Sequence, residues 1–285
     1  MRSINRASGV LGGFDIKARI IVGLLLTPVL FIVLYFTPPW CLPLAISVVS
    51  MLCVQELLGV SRFARCRRII IYASAFSAFV PLYYYLNLPR YCLIAGVFVF
   101  VALMFAEGLA NHEETPFSVI GGAFMVSWLF PLFLSTIMFV AHGEFGKYTV
   151  MLIFIIPIIT DIFAMQMGML FGKHKLSPSI SPKKTVEGSV GGLICAILFT
   201  LLYGLILQYF FEFSVHYIWL AAIAAAGSVA GQFGDLAFSF IKREFKVKDF
   251  GALLPGHGGI LDRFDSLLFS APLIYAALTA FEVIW

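Results

Sequence analysis

Nine stretches of this chain stay apolar for about as long as a lipid bilayer is thick, and that recurrence limits its possible folds more than any other feature. A helix needs about 20 predominantly apolar residues to cross the hydrocarbon layer. Runs of that kind lie at about 19–36, 41–60, 69–88, 91–107, 117–141, 148–171, 188–211, 217–241 and 266–284. Between them stand a Thr37-Pro38-Pro39 turn, a basic loop at 62–68 and a polar one at 111–116. Of 285 residues, 61% are hydrophobic and 12% charged, against about a quarter charged in soluble proteins. A water-soluble globular enzyme is thereby excluded. The pattern predicts an all-α, polytopic integral membrane protein of about nine transmembrane helices, forming a single membrane domain over 1–285.

The sparse charges set the expected orientation. Cytoplasmic loops near membrane ends carry an excess of Lys and Arg, and alternating nine spans through the membrane puts every lysine and arginine except Arg90 and Lys147 on one side. That side is expected to be the cytoplasm, with the N-terminus there and Trp285 outside. The first apolar run is too long for a signal-peptide core and lacks a small-residue cleavage site, so it is expected to remain as a span. Cys41, Cys53, Cys66, Cys92 and Cys195 are scattered singly, which suggests neither a zinc site nor a disulfide framework.

Carboxylates within spans mark polar cavities or pathways, because an ionised group in hydrocarbon is costly. Asp161 and Asp235 lie in the cytoplasmic halves of the sixth and eighth spans, and Glu56 near the cytoplasmic end of the second. For Glu56 a purely structural role is as reasonable as a functional one. Gln232, Asp235, Ser239 and Lys242 follow i, i+3, i+7 and i+10, one helix face that cannot meet lipid. Gly227, Gly231 and Gly234 beside it suit a close helix contact at least as well as a function. Asp161, Gly168 and Gly172 share a face in the sixth span.

Two cytoplasmic loops combine cations, glycines, prolines and carboxylates: 172–188 and 242–265. In the second, glycines allow backbone N–H groups to approach a phosphate. Asp262 and Asp265 would share a face once the ninth helix has begun. Carboxylates and lysines around a glycine turn suit a magnesium-bound triphosphate, since Mg²⁺ takes one or two carboxylates and completes its shell with phosphate oxygens. A tight turn with solvated charges is the bland alternative. Lys183 and Lys184 serve either phosphate binding or membrane topology. His257 has no neighbouring histidine, which argues for hydrogen bonding or a turn rather than metal ligation.

The stretch Ser239-Phe240-Ile241-Lys242-Arg243, Lys248-Asp249, Gly251, Leu254-Pro255-Gly256-His257-Gly258-Gly259-Ile260 and Asp262-Arg263-Phe264-Asp265 resembles, over 27 ungapped residues, the diagnostic motif of the phosphatidate cytidylyltransferases. Ser181-Pro182-Lys183-Lys184-Thr185-Val186-Glu187-Gly188 and Gly231-Gln232-Phe233-Gly234-Asp235-Leu236 are similar to that family as well. The resemblance is close in the C-terminal half and one of character alone in the N-terminal half. It implies transfer of CMP from CTP to phosphatidic acid, giving CDP-diacylglycerol and pyrophosphate in phospholipid biosynthesis. It also implies dependence on Mg²⁺, alone or with a second cation.

By position, the resemblance makes Asp235 and Asp262 metal-binding carboxylates supported by Asp161 and Asp265. Lys242, Arg243, Asp249, His257 and Arg263 join the two principal aspartates as catalytic residues, while Lys183, Lys184, Ser239, Lys248, Gly256, Gly258 and Gly259 hold substrate phosphates. Residues 1–147 are then the N-terminal helices and 148–285 the catalytic helices and loops. The expected setting is the cell membrane, multi-pass, with the active site facing the cytoplasm. CTP, phosphatidic acid and the bilayer are the partners, nucleic acid is not, and a homodimer is compatible with the chain.

Three positions depart from the family pattern. Ile162 stands where Thr is commoner, Met165 where Tyr is, and Phe238 where a Glu often precedes the motif serine. A CTP-dependent lipid kinase and, from another class, a secondary transporter or channel are the alternatives. The kinase would pass on the γ-phosphate, and the transporter leaves the 242–265 loop unexplained.

Overall fold

The structure, a computed structural model, describes residues 37–60, 67–143, 145–251, 253, 258–281 and 283–284. Eight helices account for most of them: α1 (Cys41–Val60), α2 (Arg67–Tyr85), α3 (Arg90–Ala110), α4 (Phe117–Ala141), α5 (Gly146–Phe171), α6 (Val186–Phe211), α7 (Tyr217–Glu244) and α8 (Leu261–Ala280). They match the second to ninth expected runs. Six of them, all but α2 and α8, are long and apolar enough to cross a membrane, and the protein is a polytopic membrane protein. The expected span at 19–36 lies outside the described residues, as do Cys66, Gly256 and His257.

The sequence left two features unmarked. The 172–188 loop contains a small antiparallel hairpin, β1 (Lys175–Ser177) and β2 (Ser181–Thr185). The last helix begins at Leu261, five residues before the apolar run. Its first turn can sit in an apolar setting because side chains from elsewhere accept its free N–H groups, as described below.

Helices α5 and α6 pack through small residues. A side chain on Gly192 would place its Cβ 2.7 Å from the Thr160 carbonyl oxygen and 2.9 Å from Ala164 Cβ, and one on Gly188 would meet the Ala164 carbonyl oxygen at 2.5 Å. Thr160, Ala164 and Gly168 on one helix thus face Gly188, Gly192 and the fully buried Ala196 on the other. This is the close backbone approach that drives association where lipid removes the hydrophobic incentive. Directly beneath the hairpin a polar chain joins three helices. Thr160 Oγ1 donates to Ser228 Oγ at 2.9 Å, Gln232 Nε2 to Ser228 Oγ at 3.4 Å and to the Ser189 carbonyl at 3.2 Å, and Ser189 Oγ donates to Gln232 Oε1.

Gly227, Gly231 and Gly234 do serve a helix contact. They lie against Ile274, Ser266 and the Asp265 carbonyl of α8. The remaining helices supply an apolar buttress. Phe76 of α2 stacks on Phe100 of α3 and Trp128 of α4, with ring centroids 4.4 and 5.5 Å apart, while α4 meets α7 through Phe130 and Phe238.

Gly192→Leu tests the glycine seam. Overpacking a tight contact costs about 1–3 kcal/mol, so the variant is expected to lose thermal stability in detergent, whereas Gly121→Leu, where nothing lies within 4 Å of an added Cβ, is expected to melt with the parent protein.

Candidate active site

The site begins with Thr185, where hairpin and helix meet. Thr185 caps α6 by accepting the Gly188 N–H at 3.2 Å, and Gly168, Gly172 and Gly188 crowd around its side chain. Glu187, two residues on, accepts the backbone N–H groups of Lys173 (3.1 Å) and His174 (3.2 Å) and pairs with His174 Nδ1 at 2.6 Å. Both ends of the hairpin are therefore fastened to the start of α6. Between the pairs Lys175–Thr185 and Ser177–Ser181, Leu176 alone on β1 faces Pro182, Lys183 and Lys184 on β2. That is a bulge, and Pro182, which has no N–H to give to the ladder, suits one.

Adjacent strand residues point to opposite sides, and that alternation separates the two lysines. Lys183 is exposed, and Lys184 turns inward to Asp235 of α7, Nζ to Oδ2 2.5 Å. From the end of α7, Arg243 Nε reaches the Ile180 carbonyl in the hairpin turn at 3.1 Å.

A second ion pair lies between α7 and α8. Side chains on a helix lean toward its N-terminus, and Lys242 reaches back to Asp262 Oδ1 at 2.6 Å and toward Asp265 Oδ2 at 3.9 Å. The Asp262 side chain is 2% exposed. Its Oδ2 accepts the backbone N–H groups of Phe250 (2.9 Å) and Gly259 (2.8 Å). Its Oδ1 has no hydrogen-bond donor in good geometry, and the Lys242 ammonium supplies the countercharge. That ammonium also lies 5.2 Å from the Phe250 ring centroid.

Deeper in, Ser266 Oγ donates to Asp161 Oδ2 at 2.9 Å, linking α8 to α5. Asp265 Oδ1 accepts the backbone N–H of Ser266 at 2.7 Å. Asp161, Asp235 and Asp265 stand near enough to repel one another, with Lys184 and Lys242 offsetting that repulsion.

The structure thus draws Asp161, Asp235, Asp262, Asp265, Lys184 and Lys242 together from α5, β2, α7 and α8. Ser239 is half-buried on α7 between Asp235 and Lys242. Lys248, Asp249, Arg243 and Arg263 are exposed around the rim. Gly258 takes φ +79°, where a Cβ would meet Asp262 Oδ2 at 2.8 Å and Asp249 Cβ at 3.2 Å. The polar stripe on α7 splits among three neighbours: Gln232 to α6, Asp235 to the hairpin, Lys242 to α8. Sequence reasoning missed Thr185 and Ser266, whose single hydroxyls carry no pattern, and left the role of Glu56 open. The signal for Glu56 was its carboxylate in an apolar run.

Among the described residues no three His, Cys, Asp or Glu side chains gather closely enough to hold a metal ion by themselves. The chemistry of the set nevertheless suits Mg²⁺. Its donors are all carboxylate oxygens, one of them buried without a hydrogen bond, and Mg²⁺ needs one or two such groups when phosphate oxygens complete the shell. At the departures from the family pattern, Ile162 and Met165 are exposed on α5. Phe238 is buried, with Phe130, Phe250 and Phe269 centroids 5.7, 6.0 and 6.1 Å from its own.

The two ion pairs differ in what their loss should cost. Lys242→Ala strands a buried carboxylate, a change worth about 3–5 kcal/mol. Lys184→Ala removes a pair whose side chains are 26% and 29% exposed, worth about 0–1 kcal/mol. Thermal unfolding in detergent is expected to show a large loss for the first and almost none for the second.

Known proteins share much of this sequence. The phosphatidate cytidylyltransferase of Staphylococcus haemolyticus (strain JCSC1435) is 40% identical over 162 residues, 57% of this chain and 61% of that protein. The one from Staphylococcus saprophyticus subsp. saprophyticus is 48% identical over 129 residues, 45% of this chain and 48% of its own length. The matched stretch therefore spans between about half and three fifths of these curated relatives. The model of the cytidylyltransferase family covers far more, residues 17–281. With nearly its whole length inside that match, the chain belongs to the cytidylyltransferase family.

Proposed function

We propose that the protein is a phosphatidate cytidylyltransferase, which transfers CMP from CTP to phosphatidic acid and releases pyrophosphate. The observation that carries this reading is the convergence of four aspartates and two lysines from α5, β2, α7 and α8 on one end of the helix bundle, in a chain of this family. A phosphatidate phosphate oxygen attacks the α-phosphorus of CTP. A new P–O bond forms, the bond from the α-phosphorus to the oxygen bridging it to the β-phosphate breaks, and pyrophosphate leaves with that electron pair. The nucleophile is already ionised near neutral pH, so the protein needs no serine or cysteine for the attack.

Its work is positioning and charge stabilisation. Lys183, Arg243, Lys248 and Arg263, exposed on the rim, meet the triphosphate arriving from water. Lys184 and Lys242, paired with Asp235 and Asp262, place two ammonium groups where phosphate oxygens would meet the carboxylates. Asp235, Asp262, Asp161 and Asp265 would hold Mg²⁺, alone or with a second cation, and the ion would neutralise charge on the reacting phosphates. Ser239 and Gly258 bring a hydroxyl and a backbone N–H to the same phosphates, whereas the Gly259 N–H is taken by Asp262 Oδ2 and holds that carboxylate in place.

The reading includes a topology. The described cations other than Arg90 and Lys147 belong to the end of the bundle that carries the site, which supports a cytoplasmic site and N-terminus in a nine-span protein of the cell membrane. Within it, 148–285 does the chemistry and 1–147 buttresses it. CTP then enters from water and phosphatidic acid from the bilayer at one boundary.

CTP labelled at its α-phosphate, incubated with phosphatidic acid in mixed micelles and Mg²⁺, is expected to label the lipid. Label appearing only from the γ-phosphate would instead mean phosphoryl transfer, and no label from either position would remove both activities. Asp235→Asn is expected to lower the rate by about 100-fold or more with its folding in detergent intact. Near-normal turnover across magnesium concentrations would remove Asp235 from the site.

A further inference from the structure

Of Glu56, Asp161 and Asp235, the carboxylates read above as lying within spans, Glu56 is the one that the proposed chemistry leaves unused. It lies near the end of α1, about 200 positions before the motif, yet both of its oxygens are engaged there. Oε1 accepts the backbone N–H of Ile260 at 2.9 Å and Oε2 that of Leu261 at 2.8 Å. These are among the free donors at the start of α8, whose N-cap residue Ile260 makes no side-chain cap of its own. A residue on another helix thus performs the capping, and it brings negative charge to the positive end of α8.

The same carboxylate fills the space beside two glycines. A Cβ on Gly251 would stand 2.5 Å from Glu56 Oε1 and 2.8 Å from its Cδ, and one on Gly259 would overlap Oε2. At both positions the three nearest atoms all belong to Glu56. Gly259 in turn donates its N–H to Asp262 Oδ2, so whatever moves Gly259 moves the buried aspartate.

We propose that Glu56 is a positioning residue for the site: it clamps both flanks of the glycine segment and the first turn of α8, and so sets where Asp262 and Asp265 stand. The assignment rests on the reading of those aspartates as site residues. Glu56 acts through them and touches no reacting atom.

A double-mutant cycle tests it, with wild type, Glu56→Ala, Gly259→Ala and the double variant in lipid nanodiscs. Turnover with labelled CTP and hydrogen exchange of peptides covering 258–265 are both read. Losing a charged acceptor of two backbone N–H groups is expected to lower kcat by about 10- to 100-fold with KM for CTP little changed, and to speed exchange at 258–265 but not in α4. Gly259→Ala is expected to do the same. The double variant is expected to be no worse than Glu56→Ala, because the atoms that an added Cβ meets are gone.

Glu56→Gln keeps one acceptor and is expected to fall between Glu56→Ala and wild type in both readouts. It carries the test if the alanine variant fails to insert. Losses that add in the double variant, or a Glu56 variant with wild-type turnover and exchange, would overturn the proposal. If the wild-type chain itself transfers no label, the functional reading is lost, and the exchange measurements alone still decide whether Glu56 clamps the segment.

Discussion

Asp262 is a carboxylate almost without solvent in a bundle whose surroundings are mostly hydrocarbon, and the rest of the site is arranged around that cost. Two backbone N–H groups and one ammonium satisfy it. The partners come from separate places: Phe250 and Gly259 from the two flanks of the glycine segment, Lys242 from the end of α7. A buried charge with a missing partner is far more costly than the complete set, so Phe250 and Gly259 are held against the start of α8. The charge therefore organises the backbone around it, whatever chemistry it joins.

Small residues make that geometry reachable. Where Gly188 and Gly192 meet Thr160, Ala164 and Gly168, the backbones of α5 and α6 come together. The hairpin between them is consequently short, and Lys184 arrives within reach of Asp235. Gly231 and Gly234 do the same for α7 and α8, with Asp265 and Ser266 directly across the contact. Phe238 then packs among Phe130, Phe250 and Phe269 on the buried side of α7.

Much of this could be read from the sequence, and the parts that could not have a common cause. Helix positions were plain because membrane spans announce themselves by length and apolarity, and the eight described helices fall on the expected runs. Asp161, Asp235, Asp262 and Asp265 stood out because ionised groups are scarce in such a chain. The start of α8 at Leu261 was hidden because its first turn is charged and its cap comes from Glu56, which no local pattern connects to Ile260. The hairpin was hidden because strands of three and five residues leave no periodicity, and Lys183 and Lys184 look alike without the strand that turns them to opposite sides. In each case the missing information was a contact between distant residues.

The bulge in β2 also bears on how such a loop can vary through evolution. Its three residues opposite Leu176 form no complete ladder, and the direction of Lys184 follows from its place in the strand count just before Thr185. Residues added at the tip, around Pro178 and Ser179, would lengthen an exposed turn and leave the lysine in place. Deleting a single residue from 182–184 would shorten the surplus and redirect whichever cation remained. Length changes within one short loop are therefore unequal: the exposed Pro178 and Ser179 can accept additions before Ile180, which Arg243 holds, while the few residues before Thr185 are held to a fixed count.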